Sequence, residues 1–262
     1  MYGDRLLELG NPELLLLFGV HPIKGITNEA LAEMLTWKKF PSDINAGLRT
    51  RRYDLRQELY RLVPELEGDP LPGTEYQGEK VIALNPALVA SDVHEFDLLL
   101  VIARKLEPPA AIETYEAALS VYGGDLLDSS AVPKYRWLYD VHPQVALTFR
   151  ADYQAKYKEA RLRLAELLAN GPEAGLTRAE ELYSGLCAEN LDDERVWIAL
   201  FRIHERTGSS VGLDGIVRRY RDAQIELGTT DVIDSDKVPL PANLERIVND
   251  IRSRIGGGAA RA

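Results

Sequence analysis

Arg49, Arg52, Tyr53 and Arg56 recur at intervals of three and four within residues 44–63, INAGLRTRRYDLRQELYRLV. On an α-helix that spacing places them on one flank, together with Asn45 and Tyr60 and with no acid among them. Guanidinium forks beside a phenol hydroxyl suit phosphate oxygens and the acceptor edge of guanine in a DNA major groove. The same pattern also arises on a plain solvated helix face. Lys38 and Lys39, just ahead of the helix, would lend further positive charge. Residues 36–63 hold seven basic and three acidic side chains, a local balance of +4 in a chain whose formal net charge is −10.

The same stretch carries its own means of positioning that flank. Ile44, Leu48, Leu55, Leu59 and Leu62 form an apolar stripe at about 100° per residue, which predicts an amphipathic helix with one buried face. Asp54 and Glu58 lie on the far side with Arg51 and Arg61, where opposite charges can pair. Two shorter helices are expected before it. Asn11 would cap and Pro12 open the first, over 11–20, and Thr27 would head the second, TNEALAEML. Pro41, Ser42 and Asp43 mark a stop and the next cap. Residues 64–79, rich in Pro, Gly and acid, read as a loop carrying Glu65, Glu67, Asp69, Glu75 and Glu79. Two strands, 80–84 and 87–93, are then expected to turn at Asn85-Pro86. A hairpin after a basic third helix is the layout of a winged helix-turn-helix.

Beyond Glu95 the pattern is helical throughout, and no strand is predicted. Segments 96–104, 109–122, 143–170, 176–189, 193–207, 213–227 and 241–255 each show helical spacing. The starts near Leu176 and Leu213 lie 37 residues apart, which suggests stacked hairpins of tetratricopeptide type; a simple helical bundle is the plainer alternative. The fold class read from these patterns is mostly α, a winged helix-turn-helix followed by a tetratricopeptide-like repeat domain. The tail 256–262, GGGAARA, is expected to be flexible.

Composition excludes several classes. At 262 residues with 45% hydrophobic and 27% charged side chains, the chain can bury real cores and is no disordered polymer. Its longest apolar run, 14–20, covers seven residues against the roughly 20 that cross a bilayer, so no membrane insertion is expected and a cytoplasmic location is the default. Cys187 is the single cysteine, and His21, His94, His142 and His204 show no ligand spacing. Neither a Gly-rich phosphate loop nor a nucleophile elbow is present, and no cofactor, metal or catalytic activity is expected.

The order of these pieces resembles the antibiotic regulatory protein family of bacterial activators, in which an OmpR-like winged helix precedes a bacterial transcriptional activator domain. Leu55-Arg56-Gln57-Glu58-Leu59 is similar to the close of that family's recognition helix, and Asp92 and Phe96 match the hand-over to its helical domain. Ala118-Leu119, Tyr122, Gly124 and Leu126-Leu127, followed by Trp137, resemble its first helical repeat. Ala179 to Leu186, Asp192-Asp193-Glu194, Gly208, Tyr220 and Glu226-Leu227-Gly228 look like later ones. About a dozen residues precede the first helix, so the winged helix is expected in a form shortened at its N-terminus.

The resemblance implies residues 1–95 as winged helix, 96–255 as helical activator domain and 256–262 as tail. It implies a DNA-binding transcriptional regulator whose helical domain mediates dimerisation and contacts RNA polymerase or another protein. Double-stranded DNA would be met by Arg49, Arg52 and Arg56, with Tyr53, Lys38 and Lys39 in support. Residues 1–95 hold ten basic and fifteen acidic side chains, so the alternative is a protein-interaction or oligomerisation module whose winged helix no longer binds DNA.

Overall fold

The computed structural model describes residues 9, 12–21, 25–37, 39–126, 135–138, 141–142 and 147–259. Asn11, Lys38, Asp140 and 143–146 lie outside them, and with them the Asn11 cap and the expected start of the helix at Pro143. The fold is mostly helical. No helix among the described residues is long and apolar enough to cross a membrane. The chain divides into two compact units, residues 1–105 with 117–157, and 106–116 with 158–262.

In the first unit α1 (Glu13–Val20), β1 (Ile26–Thr27), α2 (Asn28–Met34) and α3 (Ile44–Leu62) are followed by β2 (Gly73–Tyr76), β3 (Glu79–Ile82) and α4 (Asp92–Ala103). The caps follow from the residue types. Thr27 accepts the Ala30 N–H at 3.3 Å to start α2, and Asp43 accepts the Ala46 N–H at 3.0 Å to start α3. Leu48 and Leu55 of α3 are buried, as are Leu14, Leu17 and Phe18 of α1 and Leu31 of α2.

The three strands form an antiparallel sheet in the order β1-β3-β2, with Ile26 opposite Ile82 and Thr74 opposite Val81. Gln77 and Gly78 make the hairpin turn with φ of 51° and 84°, the positive pair that a two-residue hairpin requires. This corrects the strand assignment. The hairpin begins inside the stretch read as a loop, and 87–93 forms no strand, because Asn85 closes a local turn through Leu88 N–H and Val89 N–H instead. Gly25 enters β1 at φ +87°, where a Cβ would lie 2.8 Å from the Ile82 carbonyl. Only glycine fits there.

Glu13 is 2% exposed and is satisfied inside the unit. Its carboxylate accepts the Thr36 N–H at 2.9 Å and meets Arg51 of α3 at 3.3 Å. Arg51 also stacks 4.1 Å from the Trp37 ring centroid, so it fastens α3 to α1 and to the α2–α3 link. Arg51 thus meets a carboxylate of another helix, 38 positions earlier in the chain, which helix geometry alone does not predict.

α4 packs on α1 and buries Phe96, Leu100 and Ala103. Phe96 lies among the rings of Tyr122 and Tyr153, at centroid distances of 5.5 and 6.3 Å. The Tyr153 hydroxyl donates to Asp97 at 2.8 Å, and Lys156 bridges Asp97 and Asp152 at 3.0 and 2.9 Å. Residues 96–105 and 117–157 therefore pack with the first unit, and the compact division does not fall at Glu95/Phe96. Between α5 (Pro108–Val121) and α6 (Phe149–Asn170) lie two strands of two residues, β4 (Val141–His142) and β5 (Leu147–Thr148), paired antiparallel. They correct the expectation of no strand beyond Glu95.

The second unit holds the C-terminal part of α6 with α7 (Leu176–Glu189), α8 (Glu194–Arg206), α9 (Ser210–Glu226) and α10 (Ala242–Ala259). α8 is the centre and touches α7, α9 and α10. It has the pattern for this: Val196, Trp197, Leu200, Phe201 and Ile203 are all buried, at helical spacing. Trp197 meets Tyr220 edge to face at 5.5 Å and donates Nε1–H to the Leu191 carbonyl at 3.0 Å. Cys187 of α7 is fully buried, and burial pushes its thiol up to about 12. α10 continues through Gly256 and Gly257 to Ala259, so the tail expected from 256 onward is helical for four of its residues and lies outside the described residues for the other three.

Candidate nucleic-acid interface

α3 presents Asn45, Ala46, Arg49, Thr50, Tyr53, Asp54 and Gln57 outward, all exposed and all on one side of the helix. This strip lies next to the flank expected from the helix spacing rather than coinciding with it. The Arg49 side chain is exposed and makes no hydrogen bond or ion pair among the described residues, and Tyr53 is 59% exposed. Beside them an open groove of about 900 Å³ runs between α3, the start of α2 and β3. Arg49 and Lys80 face it with Asn28 and Asn45, which are joined by a 2.8 Å hydrogen bond; Glu29 and Glu79 also line it. Lys39, on the link into α3, is exposed.

The other two arginines are used internally. Arg56 grips Asp69 with Nε at 2.6 Å and Nη2 at 2.8 Å, and the same Nη2 donates to the Leu71 carbonyl at 2.7 Å. Arg52 donates Nη2–H to the same carbonyl at 3.0 Å. Its guanidinium is half-buried, and burial first, then the neighbouring Arg56 charge, lowers its pKa from the usual value, which Asp69 opposes. Tyr60 donates to the Gly68 carbonyl at 2.9 Å. The flank of α3 expected to face a ligand thus holds down residues 68–71 of the following loop, and Leu71 of that loop is fully buried.

For Asp69, burial raises the pKa, but the hydrogen bonds from Arg56 and from the Leu71 N–H, with the Arg56 and Arg52 charges, outweigh it, so the carboxyl sits below its usual value. The loop acids are therefore not one repulsive cluster. Asp69 is neutralised by Arg56, while Glu75 and Glu79 stand exposed on the hairpin.

Of the six residues expected at the site, the structure places Arg49, Tyr53 and Lys39 outward, ties Arg52 and Arg56 to residues 69 and 71 of the following loop, and leaves Lys38 outside the described residues. Lys80 was missed. Its signal was weak, a lysine opening a strand 31 positions after Arg49, and only the β3 pairing brings it to the α3 groove. No group of three or more His, Cys, Asp or Glu among the described residues is placed to hold a metal ion. A scan against protein-family models finds no match to this chain, and no curated protein matches it.

Proposed function

We propose that the first unit is a winged helix that docks α3 in the major groove of double-stranded DNA, within a transcriptional regulator whose tetratricopeptide-like helices hold a protein partner such as RNA polymerase or a second copy. The observation that carries this reading is the element order α1-β1-α2-α3-β2-β3 with sheet order β1-β3-β2, together with an α3 face on which Arg49, Tyr53 and Gln57 are exposed. Arg49, Tyr53, Asn45, Thr50 and Gln57 would meet base edges and backbone, with Lys39 and Lys80 on phosphates. Arg52 and Arg56 then act as positioning residues that hold the loop between α3 and the hairpin. Three free cations give a salt slope of about −2.7, at roughly 0.9 per phosphate contact, which is weak binding for a single site.

Titration of a fluorescent random-sequence duplex at low salt tests this. Arg49→Ala with Lys80→Ala is expected to weaken binding at every salt concentration and to flatten the slope by about 1.8. A parent chain that does not bind, or binds indifferently to those changes, overturns the DNA reading. The second reading, a protein-interaction module whose winged helix has lost DNA contact, is favoured by one observation: two of the three arginines on the basic flank are committed to residues 69 and 71.

A further inference from the structure

α4, DVHEFDLLLVIA, is apolar on two opposite faces. One face carries Phe96, Leu100 and Ala103 into the core of the first unit. The other carries Leu98, Val101 and Ile102, which are 52%, 46% and 41% exposed. Their spacing of three and four makes a single stripe, and a helix that is hydrophobic all round is one that is covered on both sides. The stripe is bounded along the helix by Glu95 toward one end and Lys105 just beyond the other, both exposed and neither side chain held by a partner among the described residues.

We propose that this stripe pairs two copies of the chain through antiparallel α4 helices related by a twofold axis. The spacing is self-complementary in that arrangement. Setting Glu95 of one copy opposite Lys105 of the other also sets Leu98 opposite Ile102, and the twofold repeats both pairs. A parallel arrangement would instead place Glu95 against Glu95 and Lys105 against Lys105. Burial of the leucine, valine and isoleucine supplies the attraction, while the exposed charge pairs, worth little each, fix direction and register. A contact between two helices of 12 residues is smaller than the ~800 Å² per partner of a standard interface. The association is therefore weak and rises with concentration. It places a second copy on α4 of the first unit, not on the tetratricopeptide-like helices of the preceding section, and needs no DNA.

Sedimentation equilibrium of the full chain without DNA, from micromolar to millimolar protein, is the test. The average mass is expected to climb from the monomer toward the dimer. Leu98→Glu, at an exposed position, should weaken the association at least about tenfold with an unchanged circular dichroism spectrum and melting curve. Glu95→Lys alone and Lys105→Glu alone should each weaken it, and the two together should restore it. A chain that stays monomeric throughout overturns the proposal, as does self-association indifferent to Leu98→Glu. A double charge reversal no better than the single ones overturns the antiparallel register. Loss of DNA binding would leave these outcomes unchanged, so the two proposals fail separately.

Discussion

Arg56 and Asp69 show why a helical wheel can find a charged flank without finding its use. The spacing in α3 tells which residues share a side, but the partner that claims Arg56 lies 13 positions on, in a loop whose path no periodicity encodes. Replacing either residue by alanine, and then both, should give a coupling of about 1 kcal/mol in chemical denaturation, the upper end for a largely solvated pair. Because the folded Asp69 carboxyl is held below its usual 3.8, this contribution is present above that pH and is lost as pH falls through the lower folded value. Glu13 is the costlier site. Glu13→Ala leaves Arg51 and the Thr36 N–H without their shared acceptor, and a loss of about 3 kcal/mol is expected from the same denaturation measurement. In the second unit, burial lowers the pKa of His204 below the usual 6.5, with Glu180 opposing. The unfolded chain then takes up the proton first as pH falls, so stability declines as pH drops from about 7 through the usual 6.5 toward the lower folded value. Melting curves of the parent across that range should show the decline, and His204→Gln should remove most of it.

The helices were the legible elements, since apolar spacing and cap residues state both their presence and their ends. α3 and α7 fall within one residue of the stretches read from spacing, and Thr27 and Asp43 cap as their types suggest. The hairpin was not legible from alternation because β2 is exposed on both faces apart from the half-buried Tyr76, leaving no apolar period to see. Its available mark was Gln77-Gly78, a turn pair set among acids that read as loop. The apolar run 87–93 looked more like a strand, yet Ser91 caps α4 by accepting the His94 N–H at 3.4 Å. Element ends also set the cost of change. Gly78→Ala puts a side chain at φ +84° in open space and should cost about 1 kcal/mol, whereas Gly25→Ala, at φ +87° against the Ile82 carbonyl, should cost about 2 kcal/mol or more. Thermal melts of the two variants side by side would show that order, and an equal loss would mean that β1 shifts to make room.

At the scale of the whole molecule, the chain passes between its two compact units three times, after residues 105, 116 and 157. A domain boundary at residue 95, taken from the resemblance and the onset of helical spacing, cannot register such a path, because Phe96 belongs with Tyr122 and Tyr153 only through the fold. A fragment of residues 1–157 should therefore melt cooperatively, and one ending at residue 95 should lose the α4 face packed on α1 and melt at least 10 °C lower, taking about 2 kcal/mol for a domain of this size. Equal melting temperatures would show that the shorter piece is self-sufficient. The same threading fixes a timetable during synthesis. At about 5–20 residues per second, the first unit waits several seconds after α4 emerges before its closing residues exist, and residues 106–116 wait longer still for theirs. Ribosome-bound chains arrested in that interval should be the ones that chaperones hold and proteases cut.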